Sequence, residues 1–274
     1  MAEATSIGDG PDPVTKSGYG LEFDESFDRP DLDQRRWVPY YLPQWNSRAA
    51  TGARYQIEDG VLRLRIDETQ KPWCPEWDGD VRVSSLQTGL FAGPLGSSVG
   101  QLQFDDGLQV REEQSEERLY TPQYGVIETR FRAIADPRCM VALWMIGFED
   151  QPERSGEICI AEIFGRNMTS DRAAVGMGIH PFGDPTLNDE FAAESLAIDA
   201  TEFHVYTAEW TQDFVSFFVD GELVKTVWQS PSYPMQLMLS LYEFPDDEFG
   251  DGVHRPYPKE FLVDYVRGYR RASA

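Results

Sequence analysis

The run SGEICIAEIFG, Ser155 to Gly165, carries two carboxylates, Glu157 and Glu162, among β-branched residues that favour an extended strand. Strand side chains alternate faces, so Glu157 and Cys159 share one side while Ile158 and Ile160 share the other. Strict alternation would send Glu162 to the side of the isoleucines. One extra residue around Ile160 and Ala161, a β-bulge, restores the phase: Glu162 returns to the side of Glu157, and Ile163 to the side of Ile158. Two carboxyls held close on one face can carry out glycoside hydrolysis with retention, one attacking the anomeric carbon while the other protonates the leaving oxygen and later activates water. Flanked by two negative charges, Cys159 should stay a protonated thiol and is a poor nucleophile. The plainer reading of the pair is solvated carboxylates on an exposed strand, and the surrounding segments decide against it.

Those segments read as strands and turns. YGVIETRFRAI (Tyr124 to Ile134) and VALWMIG (Val141 to Gly147) precede the two-carboxylate run, and FHVYTAEWTQDFVSFFVDGELV from Phe203, YPMQLMLSLYEF from Tyr233 and FLVDYVRGY from Phe261 follow it. RYQI and VLRLRI flank Asp59-Gly60, and FVSFFV and ELVKTVW flank Asp220-Gly221, both Asp-Gly hairpin signals. Leu62, Leu64 and Ile66 alternate with Arg63 and Arg65, which predicts one buried and one wet face. Without sustained helical periodicity, the pattern predicts antiparallel sheets packed as a sandwich. Asp31 to Trp37 (DLDQRRW) is expected as a short helix capped by Asp31. Residues 1–18, polar and rich in Gly, Pro and Asp, are expected to form a disordered arm ahead of one catalytic domain, 19–274. Two stretches, Pro72 to Asp80 and Thr88 to Gln123, have the composition of loops around a cleft.

Glu-x-Cys-x-x-Glu nearly matches the Glu-x-Asp-x-x-Glu strand of glycoside hydrolase family 16, the laminarinase and lichenase group, and the chain resembles that family in the order of its segments from Leu21 to Tyr269. The resemblance implies an all-β fold, a curved antiparallel β-sandwich of the concanavalin-like jelly-roll kind with an open cleft. It makes Glu157 the nucleophile and Glu162 the acid/base. Cys159 stands where the family has an Asp, which can hydrogen-bond the nucleophile as a thiol does only weakly. Trp144 matches an aromatic at the cleft floor, and His180 a cleft histidine able to bond sugar hydroxyls or the acid/base. Trp45, Asn46 and Arg54 fall near an N-terminal cleft wall that binds sugars. Tyr124 and Glu128 recur as a family signature, either in the cleft or structural; Ser240 takes the place of an Asn, and Tyr242 and Glu243 leave their strand toward the cleft end. Asp264 matches a ligand of the structural Ca²⁺ that some members bind. The implied activity is a retaining endo-glycosidase on a β-1,3- or mixed β-1,3/1,4-glucan, with a galactanase, a transglycosylase or a non-catalytic sugar-binding sandwich as alternatives.

Composition narrows the partners. A formal net charge of −23 argues against phosphate-backbone binding and anionic lipid, so neither nucleic acid nor membrane is expected, and a neutral polysaccharide suits the chain better. Aromatics at 13 % exceed what a core alone favours, which points to a lined ligand surface. Cys74, Cys139 and Cys159 leave at least one free thiol and form no disulfide framework. His180, His204 and His254 are too far apart in sequence to suggest a catalytic zinc site. No cofactor is required for the chemistry, and a monomer is expected. The start, MAEATSIGDGPDPV, has no secretory-signal pattern although such a family is usually exported, so localisation stays open.

Overall fold

The computed structural model describes residues 18–245 and 256–272. The expected arm, apart from Gly18, and His254 lie outside them. Among the described residues seventeen strands dominate: β1 (Tyr19–Glu25), β2 (Arg54–Glu58), β3 (Val61–Ile66), β4 (Arg82–Gln87), β5 (Gly89–Leu90), β6 (Glu117–Arg118), β7 (Gly125–Arg132), β8 (Cys139–Gly147), β9 (Glu157–Phe164), β10 (Met168–Thr169), β11 (Arg172–His180), β12 (Glu190–Leu196), β13 (His204–Trp210), β14 (Val215–Val219), β15 (Glu222–Val227), β16 (Met235–Glu243) and β17 (Lys259–Arg271). One sheet runs β15-β14-β13-β7-β17-β3-β2 with β1 also on β17, and the other runs β10-β11-β9-β8-β16-β4 with β12 on β11. Every pairing is antiparallel, as the alternation predicts.

The main core fills the space between the sheets. Leu143, Met145, Ile158, Ile160, Leu239 and Leu241 from the second sheet meet Ile127, Phe131, Phe217, Phe261 and Val263 from the first. Alternate residues of β8, namely Met140, Ala142, Trp144 and Ile146, face the opposite way and join a second buried cluster with Tyr41, Trp45, Trp73, Leu108, Val110 and Tyr242. This second cluster lies on the outer face of the second sheet, under the segments around 41–45, 73–83 and 108–110. The long 88–123 stretch is therefore part of the packed structure: Gln101 is fully buried, its Nε2 donates to the Phe148 carbonyl at 3.1 Å, and its own carbonyl accepts from Trp45 Nε1 at 2.8 Å.

Both Asp-Gly hairpins form. Glu58 pairs with Val61 and Val219 with Glu222, leaving Asp59-Gly60 and Asp220-Gly221 as two-residue turns with positive φ throughout, the geometry that matches strand twist. The helix expected over Asp31 to Trp37 is instead a single turn. Asp33 caps it, not Asp31: its carboxylate accepts the Arg35 N–H at 3.0 Å and its carbonyl accepts those of Arg36 and Trp37. One turn is too short to propagate, and ion pairs from Arg29 and Arg35 to Asp33 hold it.

Candidate active site

β9 lies between β8 and β11, and its register contains the bulge. Trp144 pairs with Cys159 and Leu143 with Ala161, so Ile160 is the extra residue on β9. On the other side Gly176 pairs with Glu162 and Gly178 with Cys159. Ile158, Ile160, Ala161 and Ile163 go to the core, while Glu157, Cys159 and Glu162 take the outer face. Three fully buried isoleucines stabilise this register by about 2 kcal/mol each, and a one-residue slip would exchange them for carboxylates. Gly176 makes room at the bulge: a Cβ there would come within 2.5 Å of the Phe191 ring and 3.2 Å of Glu162 Cβ.

The neighbours of the two carboxyls are now defined. The Trp144 indole lies in the buried cluster of the outer face, with Nε1 donating to Ser240 Oγ at 3.1 Å, and Ser240 shares a hydrogen bond with Ser85 at 2.8 Å. Its N–H is thus committed, and 4 % of the residue is exposed. Tyr242 packs edge-on against Tyr41, and Tyr41 edge-on against Trp73, a row of aromatics along the same face. His180 stacks on Phe191 with ring centres 4.6 Å apart. Arg166 lies over the Phe164 ring at 4.1 Å. Cys159 is buried, and its Sγ donates to the Gly176 carbonyl at 3.7 Å.

Burial raises both carboxyls. Glu157, part-exposed at the cleft floor but enclosed by protein, is pushed up to about 8 by desolvation, with the charge of Glu162 adding to the effect. Desolvation also raises Glu162, opposed by the positive charges of His180 and Arg166. Two acids that cannot both ionise readily keep a proton between them through neutral pH. Retaining hydrolysis needs one ionised and one protonated carboxyl at its first step. The Cys159 thiol is pushed well above its ordinary value by burial and by both glutamates, so it stays protonated.

A bulged strand that brings the carboxyls of Glu-x-Cys-x-x-Glu to one outer face of a two-sheet sandwich agrees with the family model for glycosyl hydrolases family 16, which matches residues 111–259. The chain belongs to that family. It is 31% identical to the GlcNAcα1-4Gal-releasing endo-β-galactosidase of Clostridium perfringens, with a TM-score of 0.81 over 96% of this chain and 65% of that one. It is 24% identical to glucan endo-1,3-beta-glucosidase A1 of Niallia circulans over 98% of this chain and 40% of that protein. The chain therefore spans less than two thirds of either relative. The catalytic domain of a Thermotoga petrophila laminarinase shares the fold at 18% identity, with a TM-score of 0.65 over 93% of this chain and 99% of that one.

Within this family 16 sandwich the structure brings Glu157, Cys159, Glu162, Trp144, His180 and Tyr242 together, and it places the other expected residues elsewhere. Trp45 is fully buried and supports the wall from behind, its ring so close that a Cβ on Gly100 would come within 2.9 Å of it. Asn46 Nδ2 donates to the Trp73 carbonyl at 2.6 Å and ties two loops together. Arg54 belongs to β2 in the other sheet and pairs with Asp67 at 2.9 Å. Tyr124, just before β7 in that same sheet, packs edge-on against Trp210. Glu128 accepts from the Tyr265 hydroxyl at 3.2 Å, and Glu243 is buried between Arg82 and Arg138 at 3.1 and 3.0 Å; both are structural. Asp264 is ion-paired with Arg130, a guanidinium that would repel a cation, and among the described residues no group of three or more His, Cys, Asp or Glu could hold a metal. The residues present do not fit a calcium site at Asp264.

Sequence reasoning missed Arg166 and Asp189. Arg166 follows Phe164 just past the end of β9, and spacing from Glu162 could have marked it as a cation near the acid/base. Asp189, which holds His180, comes from a loop nine residues on and left no signal. No helix among the described residues is long and apolar enough to cross a membrane.

Proposed function

We propose that the chain is a retaining endo-glycosidase that cuts β-linked glycans with Glu157 as nucleophile and Glu162 as acid/base. The observation that carries this reading is the bulge at Ile160, which places both carboxyls on one face beside the aromatic row while burial keeps a proton on the pair. In the first step Glu157 attacks the anomeric carbon and Glu162 protonates the departing oxygen. In the second, Glu162 takes a proton from water, which attacks the glycosyl-enzyme and frees Glu157. The small exposed part of Trp144 supplies apolar surface against which the CH-rich face of a sugar packs.

For the substrate, β-galactosyl bonds are favoured over the β-1,3-glucan expected from sequence. The likeness to the endo-β-galactosidase, 31% over 96% of the chain, is greater than the 24% to the glucan endo-1,3-beta-glucosidase. Reducing-sugar release from laminarin, lichenan, xyloglucan, agarose, carrageenan and a glycan bearing GlcNAcα1-4Gal tests both parts. Cleavage of the last alone supports the galactosidase reading, cleavage of laminarin or lichenan restores the glucanase, and no release from any of them leaves a sugar-binding sandwich.

A further inference from the structure

Beside the N-terminal end of β9 lies a cavity of about 380 Å³ whose lining includes Val99, Leu102, Glu149, Ser155 and Phe182. Ser155 is two residues before Glu157, and Phe182 is two residues after His180, the partner of Glu157 across β9 and β11, so the cavity adjoins the nucleophile's side of the site. Glu149 is 7 % exposed. Its Oε1 accepts the Leu102 N–H at 2.7 Å, and its other oxygen makes no hydrogen bond or ion pair with any described residue. The rim is open and mixed: Phe182 and Val99, 54 % and 42 % exposed, form its apolar part beside exposed Ser98, Gln103 and Glu153. Leu102, Glu149 and Phe182 all have left-handed backbone, with φ of 49°, 57° and 44°; three of the eight non-glycine residues in that state among the described residues line this one cavity. Such conformations persist where the surrounding structure holds them, and they gather at ligand sites.

We propose that this cavity is a subsite for a 2-acetamido sugar on the glycone side of the cleaved bond, with Glu149 hydrogen-bonding the acetamido group. Phe182 and Val99 cover its methyl group and ring face. The inference rests on the glycosidase reading above. Of the two buried polar side chains in the lining, Ser155 already accepts the Gly183 N–H at 2.8 Å with its Oγ, which leaves the second Glu149 oxygen to meet a sugar substituent. An acetamido substituent needs one strong hydrogen bond and brings a methyl group that the walls favour. Burial pushes Glu149 up to about 8, so near neutral pH the carboxyl is uncharged, and while Oε1 accepts from Leu102 the other oxygen can donate to the acetamido carbonyl.

The test is sugar binding to the whole chain by saturation-transfer NMR, with N-acetylglucosamine, N-acetylgalactosamine, glucose and galactose as probes near pH 6.5. The acetamido sugars should bind about tenfold or more tightly than their parent hexoses. Glu149→Ala should remove that preference. Glu149→Gln should retain it, because the amide still accepts from Leu102 and turns an N–H to the cavity. Phe182→Ala, at an exposed rim position that the fold does not need, should weaken both acetamido sugars and serves if Glu149→Ala does not fold. Equal binding of acetamido and plain sugars, or folded Glu149→Ala and Phe182→Ala proteins that bind as the parent does, overturns the proposal. The probes are not cleaved, so the outcomes separate: acetamido binding without hydrolysis of any glycan defeats the glycosidase reading alone, and hydrolysis without acetamido preference defeats the subsite alone.

Discussion

Glu157 stands directly opposite His180 across the β9–β11 ladder, and His180 Nδ1 lies 3.0 Å from Asp189 Oδ2. Glu162, on the far side of the bulge, faces Gly176, which has no side chain to cover it. The imidazole, held in place by Asp189 and Phe191, thus pairs with Glu157 in the ladder and is near enough to act on Glu162 as well. His180→Ala should lower kcat/KM by about tenfold or more through lost hydrogen bonds in the cleft. Asp189→Asn should show a smaller loss in the same direction, since it frees the ring without removing it. Steady-state kinetics on the cleaved glycan checks both; a His180→Ala enzyme as efficient as the parent would remove the imidazole from the site.

Glu157→Ala and Glu162→Ala should each stay folded and lose about 10²-fold to 10⁴-fold in rate. Azide should rescue both with opposite product anomers, because in one case it replaces the nucleophile and in the other it intercepts the glycosyl-enzyme. NMR of the first product formed by the parent must show retention. Inversion would exclude a glycosyl-enzyme at Glu157.

Burial makes Glu157 a weaker acid in the folded protein, and stability depends on pH as a result. Its folded pKa, about 8, lies above the ordinary carboxyl value of 4.5, so the folded protein binds the proton more tightly than the unfolded chain does. The associated stability is fully present below about 4.5 and is lost as pH rises toward 8. Glu157→Gln removes that loss. Urea melts of parent and variant should therefore diverge between pH 4.5 and 8 in favour of the variant, by ~2 kcal/mol once partial solvent access to the cleft floor is discounted. Parallel curves across that range would show that the carboxyl pair does not hold a proton through neutral pH.

Local pattern was legible in the sequence wherever one residue's environment follows from its immediate neighbours. The bulge could be placed because two carboxylates and three isoleucines must separate to opposite faces, and the hairpins because Asp-Gly meets the positive φ of their turns. Residues placed by family position alone fared less well. Trp45 and Tyr124 are aromatics near the expected segments, yet whether an aromatic faces a ligand or a packed loop is decided by chain far away: Gln101 for Trp45, Trp210 for Tyr124. Glu149 could not be read at all, since its burial depends on the loop at 98–103 closing over it.

The correction at Trp45 is itself testable. A tryptophan that binds sugar raises KM when removed, whereas one that supports a wall lowers stability. Trp45→Ala should cost about 3–5 kcal/mol in urea unfolding, from lost burial and the lost hydrogen bond to the Gln101 carbonyl, which keeps its bond from Gln44 Nε2 at 3.0 Å. Trp45→Phe should cost less and leave KM close to that of the parent. An unchanged unfolding midpoint with a raised KM would return Trp45 to the cleft.

Cys159 separates the two carboxyls and differs from the Asp that the family resemblance implies at its position. Its thiol donates to the Gly176 carbonyl at 3.7 Å, is buried, and stays protonated between two glutamates. An aspartate there would add a negative charge beside Glu162, disfavour its ionisation and let it keep its proton to higher pH. Cys159→Asp should therefore move the basic limb of the pH–rate profile upward, because the protonated acid is the form active in the first step. Cys159→Ser preserves a neutral donor of similar size and should keep both the profile and most of the activity. Thiol reagents should react slowly, all three cysteines being buried. A folded Cys159→Ser enzyme with no activity, together with rapid loss of parent activity on alkylation at Cys159 alone, would mean that the sulfur takes part in bond making and that the division of roles between Glu157 and Glu162 is wrong.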